Sequence, residues 1–233
     1  MRRACARGAW AVWGGVIVGI TLLSACTPRA RALVGTAAPT MLPPSILGDA
    51  PQQLRFTWTY RDETFEATGD GVVRAMGPDR ARLDFFLKNG MAGGYAILVG
   101  DSLIVPGIDL VRRFLPPVPL LWATLGRLAV PATRDTVVRA DGDTLRADLG
   151  ELGPGDASQA PGRAWRLTFA ARQLVRTERI ENRKVVEWVT RQRGSAGPWE
   201  LRYVHERANR RLEISVTDTM TVRGFDEAIW RRP

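Results

Sequence analysis

The sequence predicts an α+β fold that is mainly β: a curled antiparallel sheet of about ten or eleven strands. The sheet forms an incomplete, half-open β-barrel with a short helical insert as plug or lid. Three observations predict it. Apolar and polar residues alternate through most of 52–223, turn signals separate the alternating runs, and the alternation breaks once, at 107–128, where apolar residues recur every three or four positions. A sheet of that many strands must curl, and one that curls around its own apolar face makes a barrel or part of one.

Residues 1–25 stand apart from this domain. Arg2, Arg3 and Arg7 precede an uncharged run, residues 9–25, which ends at Leu23-Ser24-Ala25-Cys26. A basic start, an apolar middle and small residues at the end are the layout of an export signal. The closing quartet resembles a bacterial lipobox, in which a peptidase cuts before the cysteine and a diacylglycerol is joined to its thiol. The resemblance implies that Cys26 is the lipidation site and the first of about 208 mature residues. Burial of acyl chains at about 0.8 kcal/mol per CH₂ would then anchor the chain to a membrane. Cys5 leaves with the leader, so no intramolecular disulfide is expected. Thr27, rather than an aspartate, follows the cysteine. By resemblance to the sorting rule of enteric bacteria, this favours the outer over the inner membrane of the cell envelope, facing the periplasm. Residues 26–51 are rich in proline and small residues without a sustained period. They read as the lipidated N-terminus and a flexible tether, leaving 52–233 as the folded domain.

Within that domain Leu54, Phe56, Trp58 and Tyr60 share one strand face. Residues 64–76 continue as a second strand, with a bend or bulge expected at Gly69-Asp70-Gly71. Ala81, Leu83, Phe85 and Leu87 alternate after the Gly77-Pro78-Asp79 turn, and residues 94–99 and 102–105 follow around Gly100-Asp101. Short hairpin connections imply antiparallel pairing. Leu110, Val111, Phe114, Leu120, Leu121, Trp122 and Leu125 then predict two short amphipathic helices split by Pro116-Pro117. Strands resume at 135–140, 143–149, 163–170, 172–181, 184–192, 199–207 and 211–218. Asp141-Gly142, Asn182-Arg183 and Asn209-Arg210 are the turns.

Across residues 52–223 the chain resembles the LolA/LolB superfamily of bacterial lipoprotein carriers. The elements that carry the resemblance are Phe56–Tyr60 with Gly69-Asp70-Gly71 and Arg82–Phe86; Gly94–Val105; Pro119–Trp122 through Gly126; and the closing run of amphipathic strands. With Cys26, the resemblance is to a LolB-like anchored receptor or an uncharacterised lipoprotein relative. It implies an unclosed barrel with helices over an apolar cavity that holds acyl chains or acylated lipoproteins as cargo, and a soluble periplasmic carrier as a possible donor. Cavity-wall candidates are Phe56, Trp58, Phe85, Leu110, Phe114, Leu121, Trp122, Leu125 and Trp199. The alternative is a sensor or scaffold lipoprotein of the envelope with the same fold and no enzymatic role.

Other functions find less support. The net charge is +9, or +6 without the leader arginines, and only Lys88 and Lys184 are lysines. Arg172, Arg176, Arg179 and Arg183 are interleaved with Glu178, Glu181 and Glu187, the pattern of a mixed solvated face rather than a nucleic-acid surface. His205 is the lone histidine and reads as a structural core or rim residue. No GxSxG elbow, Cys/His metal pattern or nucleophile–base pair is present, so no catalytic residue, metal or cofactor is assigned.

Overall fold

In a computed structural model of the chain the described residues are 28–231, apart from 89–92, 107–108, 132, 134, 153–161 and 195–198. The strands are β1 (Thr36–Ala37), β2 (Gln52–Arg61), β3 (Glu66–Met76), β4 (Arg80–Leu87), β5 (Gly94–Val99), β6 (Ser102–Ile104), β7 (Thr136–Asp141), β8 (Thr144–Gly150), β9 (Arg163–Ala170), β10 (Gln173–Glu181), β11 (Lys184–Gln192), β12 (Glu200–His205) and β13 (Arg210–Thr221). Helices α1 (Asp109–Phe114) and α2 (Val118–Thr124) lie between β6 and β7, and a 3-10 turn follows at Glu227–Trp230.

All strands belong to one antiparallel sheet in the order β1-β7-β8-β9-β10-β11-β12-β13-β2-β3-β4-β5-β6. Two meanders are thus joined where β13 pairs with β2, from Arg211↔Arg61 to Thr221↔Gln52. The end strands β1 and β6 do not meet, so the curled sheet is an unclosed barrel, as expected. The count is thirteen rather than ten or eleven. Strand β1 has only two residues and shows no period to read.

Alternation sets the inner face. Phe56, Trp58 and Tyr60 of β2, Leu83 and Phe85 of β4, Leu167 and Phe169 of β9, and Leu212, Ile214 and Val216 of β13 are all buried in one core. The bulge expected at Gly69-Asp70-Gly71 does not form. The β2–β3 register runs without a shift, pairing Phe56 with Gly71 and Trp58 with Gly69. These glycines serve packing instead: a Cβ on Gly71 would sit 2.2 Å from Phe56 Cζ, and one on Gly69 would sit 2.9 Å from Trp58 Cε2. The missing side chains give the aromatic rings room to lie across the neighbouring strand.

The helical insert plugs the barrel. Phe114 stacks on Trp58 at 5.3 Å, lies 5.1 Å from Tyr60 and meets Phe85 edge-on at 5.8 Å. Polar contacts fix the plug from outside. Arg113 donates to both oxygens of Asp62 at 2.7 and 2.9 Å, and Tyr60 Oη donates to the same carboxylate at 2.7 Å. The hydrogen bonds from Arg113 hold the Asp62 carboxyl well below the usual carboxylate range. Burial, and then the bond to Asp62, pushes the Tyr60 phenol up to about 12. In α2, Leu120, Leu121 and Trp122 are buried, and Trp122 Nε1 donates to Gly100 O at 2.8 Å.

The stretch expected to be a flexible tether is docked from Pro28 onward. Ala30 N donates to Arg183 O at 2.7 Å and Val185 N to Pro28 O at 2.9 Å, beside the β10–β11 turn. Thr36 and Ala37 then pair with Ala140 and Arg139 of β7. Leu128 N donates to Ser45 O at 2.8 Å, and Leu47 is buried in the main core. The physical reason is sheet chemistry. Strand β7 would otherwise present unpaired N–H and C=O groups along its length, and a leucine next to an open barrel gains by burial.

Candidate functional site

Inside the barrel a cavity of about 80 Å³ remains between α2 and the sheet. Its walls come from strands that are distant in sequence but neighbours in the sheet: Leu54 and Phe56 of β2, Val73 and Ala75 of β3, Ile214 and Val216 of β13, and Leu201 of β12. Thr124 and Leu125 close it from α2, Leu47 closes it from the N-terminal segment, and Trp199 and Arg191 lie at one side. Hollows of about 330 to 420 Å³ on the outer face are lined by charged residues such as Arg202, Glu213, Arg166 and Glu181. They are grooves between paired surface charges.

Of the wall residues expected from sequence, Phe56, Leu125 and Trp199 line the cavity. Trp58, Phe85 and Phe114 belong instead to the aromatic cluster under α1. Leu121 and Trp122 are core residues of α2. Their apolar faces meet neighbouring side chains rather than empty space. Leu110 lies in α1, but its side chain is outside the described residues, as is Cys26.

Among the lining residues outside the expected set are Leu47 and Arg191. Leu47 belongs to the stretch that the sequence predicts to be a tether. Arg191 lies on the inward parity of β11 with Val189, where an apolar residue is the norm. That break in the binary pattern was the available signal. The Arg191 guanidinium carbon sits 3.3 Å from the centroid of the Trp199 ring, and that of Arg193 sits 4.6 Å from the same centroid. Burial first, and then the charge on Arg193, pull Arg191 down to about 10, so it stays protonated at neutral pH. No carboxylate lies within 4 Å of either guanidinium among the described residues. Glu187 is taken up by Arg179 and Tyr203, and Glu200 on the neighbouring strand accepts from Gln192 at 3.3 Å. The C-terminal end of α2 supplies partial compensation: a Cβ on Gly126 would sit 3.3 Å from Arg191 Nη1, and helix C-termini favour cations.

His205 is structural in its contacts. Its Nδ1 accepts from Ala208 N at 3.2 Å in the β12–β13 turn. Arg176 pairs with Glu178, and Arg179 with Glu181 and Glu187, but Glu178 and Glu187 are buried, so the face expected to be solvated is so only in part. Among the described residues no His, Cys, Asp and Glu group has the makings of a metal site, and no helix is long and apolar enough to cross a membrane.

No family model matches the sequence, and no curated protein matches it. Solved structures do. A Vibrio parahaemolyticus domain named for outer membrane lipoprotein sorting aligns at TM-score 0.52 and 10% identity, over 78% of this chain and 90% of that one. A DUF1329 family protein from Desulfovibrio piger aligns at TM-score 0.51 and 8% identity, again over 78% and 90%. A LolA superfamily protein from Nitrosomonas europaea aligns at TM-score 0.49 and 11% identity, over 80% and 92%. At such identities the likeness is one of fold alone, and that of the two structures above TM-score 0.5 agrees with the topology above: the chain is built on an open, curled antiparallel barrel.

Proposed function

We propose that the chain is a lipid-anchored envelope protein that receives acyl chains, or proteins bearing them, in the cavity between its sheet and α2. No covalent bond is made or broken. The carrying observation is the apolar hollow that the barrel's own side chains leave unfilled, roofed by Leu47 from a segment outside the barrel strands. The lipobox-like Leu23–Cys26 supports the anchor, and Thr27 supports the outer membrane.

At about 80 Å³ the cavity is closed down. A cavity of about 150 Å³ takes benzene, and ligand sites are typically about 300–1,000 Å³. Cargo must therefore move a wall, and Leu47 is the wall residue carried by the N-terminal segment. Its segment is tied to the insert by the bond from Leu128 N to Ser45 O. Exposing a leucine costs roughly 2 kcal/mol, and each methylene buried returns about 0.8, so three or four methylenes offset the opening.

Native mass spectrometry of detergent-free protein tests this reading. Co-purifying acyl species are expected, and Leu47→Ala should raise their occupancy. Lipid-free spectra for both proteins, also after incubation with acyl donors, would end the carrier reading. A second reading, a sensor or scaffold with the same fold, draws on the Trp58–Phe85–Phe114 cluster that fills the barrel beneath α1. Recovery of a stable protein partner without acylated cargo would favour it.

A further inference from the structure

Resting on the carrier reading, we propose that the cavity selects an amphiphile with an oxyanion head, held by Arg191 against Trp199 while the chain enters toward Val216. Among the described residues, Arg191 is the one formally charged wall residue of an otherwise mainly apolar hollow. An arginine in such a place ordinarily has a carboxylate. Here the described residues give it an indole face and a second guanidinium on the same ring, Arg193, which repels it. The sequence from Gly194 to Pro198, which leads from Arg193 to Trp199, contains no acidic residue. Two cations converging on one ring beside an apolar hollow are complementary to an anion attached to a hydrocarbon.

The neutral ester and amide carbonyls of an acylated cysteine could accept a hydrogen bond from Arg191 but would leave its charge unpaired. A fatty acid or a single-chain phosphate ester would gain a charge-assisted hydrogen bond in a partly desolvated site. Carboxylate and phosphate share this chemistry, and the choice of probe separates them. The remaining donors of Arg191 explain why Lys is a poorer substitute: a guanidinium stacks on the indole and still presents its planar edge to the ligand.

Binding of dodecanoate, dodecyl phosphate and dodecanol to the folded chain tests this, by calorimetry or native mass spectrometry. At least one anionic probe should bind about tenfold tighter than dodecanol, the worth of one charge-assisted hydrogen bond. The tighter of the two anions names the head group. Arg191→Met, which keeps the stem, should bring the anion down to the level of dodecanol and leave dodecanol unchanged. Arg191→Lys should keep part of the preference, and it decides the matter if Arg191→Met melts. Equal binding of anion and alcohol by the natural chain, or a preference that survives Arg191→Met, overturns the head-group assignment and leaves the carrier reading standing. Binding of none of the three overturns both.

Discussion

Replacing Phe114 with alanine asks whether the helical insert is part of the core or a loosely seated cover. The side chain is 1% exposed and touches Trp58, Tyr60 and Phe85 with ring centroids 5.1 to 5.8 Å apart. Truncating a buried phenylalanine costs about 3–5 kcal/mol. Three ring pairs, worth roughly 0.5–1.5 kcal/mol each beyond area, put this site toward the upper end. The sheet around it is hydrogen-bonded from strand to strand and cannot collapse into the space. Against a total stability of about 5–15 kcal/mol, the variant folds but is marginal. For a domain of this length about 2–4 °C is lost per kcal/mol, so the midpoint should fall by roughly 10–15 °C. Urea unfolding followed by tryptophan fluorescence and near-ultraviolet circular dichroism reads the change, with the slope m unaltered. A cost below about 1 kcal/mol with the sheet intact would refute the reasoning. It would mean that α1 rests on the barrel without filling it.

Gly71→Ala places a Cβ 2.2 Å from Phe56 Cζ and 2.7 Å from Asp84 O, and the backbone oxygen cannot yield. A loss of about 1–3 kcal/mol is expected, while Gly48→Ala, with nothing within 4 Å, should be neutral in the same urea titration. Asp62 carries a carboxyl held below its ordinary value by Arg113. A lowered folded value means that the stabilisation is present above about pH 4 and is lost as pH falls further. Urea midpoints of the natural chain should drop more steeply through the acid range than those of Asp62→Asn, and parallel curves would contradict this. Arg172 stands at φ +65° in the β9–β10 turn, a left-handed conformation that favours glycine. Arg172→Gly should therefore raise stability by about 1 kcal/mol, read by the same titration.

The sheet was legible because strands announce themselves by period, and the insert because its period changes at Pro106. The curl followed from strand number alone. What could not be read was which apolar residues face each other and which face a hollow. Trp58 and Trp199 carry the same inward parity, yet one is stacked under Phe114 and the other edges the cavity. Only the three-dimensional meeting of β2, α1 and β13 separates them. Gly69 and Gly71 read as a bulge because a glycine making room for a ring across the ladder looks, in one strand, like a glycine making a bend. The docking of segment 28–48 is not legible, since isolated backbone bonds, a two-residue strand and scattered apolar residues leave no periodic trace. Arg191 is legible as a polar residue at an inward position, but its significance depends on having no carboxylate partner among the described residues, which a sequence does not state.

The bond pattern around Pro28–Ala30 has a mechanical consequence. Only Thr27 separates Cys26 from Pro28, and two extended residues reach at most about 7 Å. A diacylglycerol on that sulfur would be a very short leash, ending at the β10–β11 turn where Arg29, Arg183 and Lys184 gather. Each such cation near anionic head groups is worth about 1 kcal/mol. The barrel would stand on that turn like a foot and keep one fixed bearing to the bilayer. Extra residues inserted before Pro28 would let it swing.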